Sequence, residues 1–204
     1  MVTTILRCVD DVKDSPAEHA EPPGSRDRDP DPLGAWVVLG AEPGVAPGRL
    51  ERVRALLNTD DRYHGVDALA GTAPTELVAL RDALRAYVES GRPGDLADLA
   101  LRHPVVVGFA DGAARLVPAP GGGDVAGMCA DVLATVHEAH LSGAWSRLKV
   151  CGNPDCRWVY HDASRNRSGR WCAMGECGDV MKARAYRRRV RAGTAPARGD
   201  VQAP

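Results

Sequence analysis

The sequence predicts an α+β fold, with an N-terminal α+β domain over residues 35–143 and a small cysteine-anchored module over 145–191. Three observations predict it. Helical stripes of leucine and valine alternate with short β-type runs before residue 143. Four of the six cysteines fall between 151 and 177. The charge also reverses sign between the halves: residues 1–144 hold 13 basic and 22 acidic side chains, a net of −9, and residues 145–191 hold 12 and 4, a net of +8.

In chain order, residues 14–34 contain five prolines, six acids and one large apolar side chain, Leu33. Such a stretch cannot bury enough surface to offset its ordering entropy, so residues 1–34 are expected to be disordered. Trp36-Val37-Val38-Leu39 reads as a short buried strand ended by Gly40. Pro47 to Asn58 places Leu50, Val53 and Leu57 at helical spacing, while Arg52-Val53-Arg54 alternates as a strand would; helix is the preferred reading. Thr75 to Ser90 is an amphipathic helix with Leu77, Leu80, Leu84 and Val88 on one stripe, closed by Gly91 and Pro93. Asp95 to Leu101 adds a short helical turn. Val105 to Phe109 and Arg115 to Val117 form a hairpin around Asp111-Gly112. Asp124 to Leu141 is a second amphipathic helix, with Val125, Met128, Val132 and Val136 along one face. Cys129 sits among its apolar residues and reads as a small core side chain; Cys8 has no catalytic context either. The tail over 192–204 is expected to be disordered.

Cys151, Cys156, Cys172 and Cys177 form two Cys-x4-Cys pairs separated by fifteen residues. A structural zinc ion takes four soft ligands in a tetrahedron, and two tight turns supply them. Two disulfides are the competing reading, but the expected cytosolic compartment keeps thiols reduced. The site is therefore expected to hold one structural Zn2+. With four thiolate ligands it leaves no coordination position for a catalytic water. His161 is a possible substitute ligand, with a surface or packing role preferred. Leu148–Val150 and Trp158–Tyr160 make a hairpin around the first pair, and Gly178–Val190 a helix after the second. Hairpin then helix around zinc suggests a treble-clef or ribbon-like module, with Trp158 and Trp171 covering its small core.

The module is rich in arginine. Arg165, Arg167 and Arg170 lie in the loop from Asp162 to Trp171, and Lys182, Arg184, Arg187, Arg188, Arg189 and Arg191 on the last helix. On that helix Arg184, Arg188 and Arg191 share one face, and Ala183, Tyr186 and Val190 another, so one side can pack and the other contact a partner. Arginine suits phosphate through its bidentate fork. Arg165, Arg167, Arg170, Lys182, Arg184, Arg187, Arg188 and Arg191 are the candidate nucleic-acid contacts. About six phosphate contacts would give a log-affinity against log-salt slope of roughly −5. Docking onto the acidic N-terminal half and plain solvation are the alternatives.

No stretch reaches the roughly 20 apolar residues of a membrane span, so a cytoplasmic protein is expected. No nucleophile–base spacing, phosphate loop, paired carboxylate or HExxH pattern appears around His64, His137 or His140, so no enzyme is expected.

The run Arg147-Leu-Lys-Val-Cys151-Gly-Asn-Pro-Asp-Cys156-Arg-Trp-Val-Tyr160, then Asp162-Ala-Ser-Arg-Asn-Arg-Ser168 and Arg170-Trp-Cys172, resembles the CGNR zinc-finger family. Leu56-Leu57-Asn58-Thr59 is similar to an apolar run ending in Asn-Thr upstream in that family. The resemblance implies an upstream ABATE domain, zinc ligation by the four cysteines, and DNA binding by a stress-induced bacterial transcription regulator. The ABATE-like domain would sense a small molecule or form a homodimer. An RNA-binding or protein-interaction module is the alternative. One departure stands out. The family's Cys-Gly-Asn-Arg is here Cys177-Gly178-Asp179-Val180, which removes an arginine and leaves Asp179 to cap the helix.

Overall fold

The computed structural model describes residues 44–110 and 112–193, all within one compact unit, Pro32–Pro204. The tether over 14–34, the strand Trp36–Leu39 and the tail from residue 194 lie outside the described residues. Among the described residues the fold is α+β: five α-helices with three two-stranded antiparallel hairpins.

The first helix, α1 (Leu50–Asn58), settles the ambiguity of Arg52-Val53-Arg54. Leu50, Val53 and Leu57 converge on one side only at the helical 100° per residue, and all three are buried. Arg54 is buried too, held by a carboxylate one turn back, Glu51, which also accepts from the Ala46 N–H at 2.8 Å. A two-residue hairpin follows, β1 (Asp60–Asp61) with β2 (Val66–Asp67); such short polar pairing leaves no period-2 signal in the sequence. The second helix, α2 (Thr75–Ser90), buries Leu77, Leu80 and Leu84, and ends at Gly91 in the left-handed conformation, φ +69°.

Helix α3 (Leu96–Arg102) leads into the hairpin β3 (Val105–Ala110) and β4 (Ala113–Pro118), with Gly112 at φ +74° in its two-residue connection. Helix α4 (Asp124–Leu141) buries Cys129, Ala130, Val132, Ala134, Thr135, Val136 and Ala139, a wider face than the valine stripe alone. The Cys129 thiol is fully buried, and burial, with the Glu76 carboxylate adding to it, pushes its pKa up to about 11. That is a packing residue, as its apolar surroundings suggested.

The core does not stop at residue 144. Trp145, Leu148 and Val159 are buried in the same cluster as Leu50, Leu56, Leu80 and Val132. The hairpin β5 (Leu148–Val150) with β6 (Val159–His161) thus lies against α1 and α2. Hydrogen bonds reinforce this seam. Asn58 donates from Nδ2 to the Val159 carbonyl and accepts the Val159 N–H at Oδ1, both at 2.8 Å. In this way a side-chain amide pairs with β6 as a neighbouring strand would. Arg85, almost wholly buried in α2, donates to the carbonyls of Leu57 and Arg157, both at 2.6 Å. Helix α5 (Asp179–Arg191) closes the described chain and has no buried residue.

Candidate metal centre and basic surface

The two knuckles meet. The ligand atoms of Cys151, Cys156, Cys172 and Cys177 all lie within 4.8 Å of one another, and three of these residues are buried. Cys156 Sγ and Cys172 Sγ are 3.7 Å apart, as are Cys172 Sγ and Cys177 Sγ. A tetrahedron of sulfurs about 2.3 Å from a central zinc has edges of about 3.8 Å. A disulfide would need about 2.05 Å. The donor set and its spacing therefore fit one zinc ion, and the four residues are free cysteines. His161 instead pairs its backbone with Gly44, donating its N–H to the Gly44 carbonyl at 2.8 Å, and is not part of the sulfur cluster.

The loops that hold the sulfurs explain their sequence. In the first knuckle the Asn153 carbonyl accepts the N–H groups of Cys156 (3.0 Å) and Arg157 (3.2 Å), with Arg157 turned to φ +56°. The Asn153 side chain is buried and directs Nδ2 to Cys177 Sγ at 3.5 Å, so one knuckle supports a ligand of the other. Burial opposes ionisation of Cys177, yet hydrogen bonds from Asn153 and the neighbouring thiols carry its pKa below the ordinary value. For Cys156, burial dominates, and its thiol is pushed up to about 12. A metal ion must therefore displace protons to bind here.

Trp171 is a structural wedge. A Cβ on Gly152 would come within 3.0 Å of its ring, and one on Gly178 within 3.1 Å of it and 2.7 Å of Met174 Sδ. Each Cys-Gly pair thus keeps its glycine so that the indole can lie against both knuckles. Trp158 also packs on the cysteine cluster. Met174–Gly178 winds as a single π-type turn directly into α5. That continuity corrects the expected cap: Asp179 makes no capping hydrogen bond, and its carboxylate pairs with Lys182 at 3.1 Å.

Residues 147–190 match the CGNR zinc finger family. No curated protein matches the chain closely enough to add a relative.

Within the cysteine module the candidate basic contacts fall into two groups. Some are already engaged. Arg184 donates to Asp155 at 2.6 Å and reaches the Asn153 side chain at 3.5 Å, so it braces the first knuckle. Lys182 faces Asp179, Arg170 stacks over Trp171 at 5.1 Å, and Arg167 touches Ser146 Oγ at 3.4 Å. Others are open: Arg165, Arg187, Arg188 and Arg191 are exposed and make no side-chain ion pair or hydrogen bond among the described residues. The expected packing face of α5 is also open, because Tyr186 and Val190 remain 50% and 48% exposed. The half-buried residues of the helix, Met181 and Ala183 to Ala185, lie in its first turns, and every described residue from Tyr186 onward is exposed.

The arginine loop has an organiser that charge counting missed. Asp162 is buried and accepts from Lys149 Nζ at 2.6 Å, Ser164 N at 3.0 Å and Gly169 N at 2.9 Å. Burial disfavours its charge, but these donors prevail and hold the carboxyl well below the usual carboxylate range. The Asp-x-Ser spacing of an Asx turn was its available signal. Among the described residues no helix is long and apolar enough to cross a membrane.

A cavity of about 930 Å³ opens beside the sulfurs, lined by Tyr63, His64, Trp158, Cys172 and Arg184 among others. His64 Nδ1 lies 2.7 Å from Asp61 Oδ2 at its rim.

Proposed function

We propose that the chain is a non-catalytic, zinc-stabilised DNA-binding regulator. The four thiolates would fold a treble-clef-like module that presents α5 to duplex DNA. The observation that carries this reading is the exposed end of α5, where Arg187, Arg188 and Arg191 have no ion-pair partner among the described residues, on a helix whose base is tied to the first knuckle by Arg184 and Asp155. Clustered, unneutralised guanidinium groups on a rigid support are what a phosphate backbone selects.

Self-docking of the module onto the acidic half is the alternative; among the described residues Arg157 of the module pairs with Glu89 at 3.1 Å. The upstream helices would act as the ABATE-type sensing domain of the family, joined to the reader through Asn58 and Arg85. A cytoplasmic location follows from the same reading, since DNA and reduced thiols are both found there.

A filter-binding titration of the full chain against duplex DNA, single-stranded RNA and heparin over a salt series tests this. With Arg165, Arg187, Arg188 and Arg191 as the free contacts, the slope against log salt is about −3 to −4, shallower than a full set would give. Duplex DNA is expected to bind most tightly, and replacing Arg187, Arg188 and Arg191 by Ala to weaken it at least tenfold. Equal binding to all three polyanions, or no loss on that replacement, would overturn the proposal; a preference for the RNA would favour the RNA-binding alternative.

A further inference from the structure

The hairpin β3–β4 is thinly covered. It rests on α4 mainly through β4, and none of its described side chains is fully buried. Phe109, the only phenylalanine of the chain, is 84% exposed, and Val107 is 61% exposed. Two strands alone are marginally stable in water, and a third or fourth strand or a covering layer is the usual remedy.

The open edge of β3 can be assigned residue by residue. Ala119 donates its N–H to the Pro104 carbonyl at 3.1 Å, and these residues continue the register that pairs Val105 with Pro118 and Ala110 with Ala113. Hydrogen-bonded and non-hydrogen-bonded pairs alternate in an antiparallel ladder. Residues 104, 106, 108 and 110 therefore direct their backbone groups toward β4. Val105, Val107 and Phe109 direct theirs outward, where they meet no partner among the described residues. The same three side chains share one face, because side chains alternate along a strand.

Natural edges are protected by charge, proline or a bulge. From Val105 to Ala110 β3 has none of these, whereas β4 has Arg115 and ends in Pro118. The unprotected edge is also symmetric about Val107.

We propose that β3 pairs antiparallel with β3 of a second copy of this chain, on a two-fold axis at Val107, to form a continuous four-stranded sheet. A second copy suits this edge for three reasons. It brings the same uncharged strand, so no charge is buried or opposed at the junction. Register 107 to 107 places the exposed faces of both hairpins on one side of the sheet, and a slip of one residue would not. In that register Phe109 lies opposite the partner subunit's Val105, twice, and aromatic against β-branched is a favourable cross-strand pair. A single added strand pair is smaller than a standard interface, so the dimer is of the weak, reversible class. This inference does not depend on the nucleic-acid reading.

Sedimentation velocity of the full-length zinc-loaded protein tests it. Wild type is expected to shift from monomer to dimer as the chain concentration is raised to about 0.1 mM, a range suited to weak complexes. Val107→Lys and Val107→Glu each place like charges on the axis and are expected to weaken the dimer more than tenfold. Each should keep its far-UV circular dichroism and zinc content, because the altered side chain is exposed. An equimolar mixture of the two variants should then dimerise again, which mere misfolding could not produce. Wild type that stays monomeric at that concentration, variants that dimerise as well as wild type, or a mixture that fails to recover would each overturn the proposal.

Discussion

Asn58 offers the sharpest energetic test of how the upstream helices and the sulfur-bearing hairpin depend on each other. Its amide is the partner of both backbone groups of Val159, each at 2.8 Å, and both residues are at most 1% exposed. Asn58→Ala removes the amide and leaves those groups without water to replace it. The Val159 carbonyl keeps a long contact from Arg54, at 3.5 Å, while its N–H loses the one partner it has on that side. A buried backbone group left unsatisfied costs about 1–3 kcal/mol, so the pair should cost about 2–4 kcal/mol once the residual Arg54 contact is counted. For a domain of this size that is a fall in Tm of roughly 5–15 °C. Thermal unfolding followed by far-UV circular dichroism, with zinc in excess, reads this. The transition should remain single, because one core runs from Leu50 through Val159. A Tm within about 1 °C of wild type, or a split into two transitions, would show that the Asn58 amide does not tie the two parts together.

The other expectations concern the arginine loop and the glycine contacts. Asp162 has a depressed pKa in the folded state, so its contribution to stability is fully present above the ordinary carboxylate range and is lost only as pH falls through the lower folded value. The stability difference between wild type and Asp162→Asn should therefore stay constant from pH 7 down to about 5, read by urea unfolding. A difference that grows as pH falls through that window would mean burial had raised the pKa instead. Gly178→Ala brings a Cβ to 3.1 Å from the Trp171 ring and to 2.7 Å from Met174 Sδ, the end of an exposed side chain that can turn away. The tighter fit against the indole should cost about 1 kcal/mol, a fall in Tm of about 2–4 °C. Gly175→Ala, with open space at its Cβ, serves as the control and should change it little.

Much of this architecture is legible in the chain. The stripes of α2 and α4 and the Asp-Gly hairpin announce themselves because each buries or turns by a local rule. The four cysteines do so because metal chemistry dictates their spacing. What is hidden depends on distant partners. Nothing local tells that Asn58, at the end of an apolar helix, pairs with a strand about a hundred residues later. Arg85 and Arg54 look like surface charges until the fold brings carbonyls and Glu51 to them. Arg184 carries the same charge as its neighbours on α5, yet Asp155 claims it. The tyrosine and valine face of that helix follows a packing period without a described surface to pack against. Composition read the sign of the basic surface; only the geometry divides it into braces and free cations.

The module stands or falls with one zinc ion shared by four thiolates. X-ray absorption at the zinc edge, on protein with its metal content measured, tests it most directly. One zinc per chain with four sulfur neighbours at about 2.3 Å is expected, and loss of that ion in Cys151→Ser. Zinc absent from the purified chain, or a first shell containing nitrogen or oxygen, would contradict it.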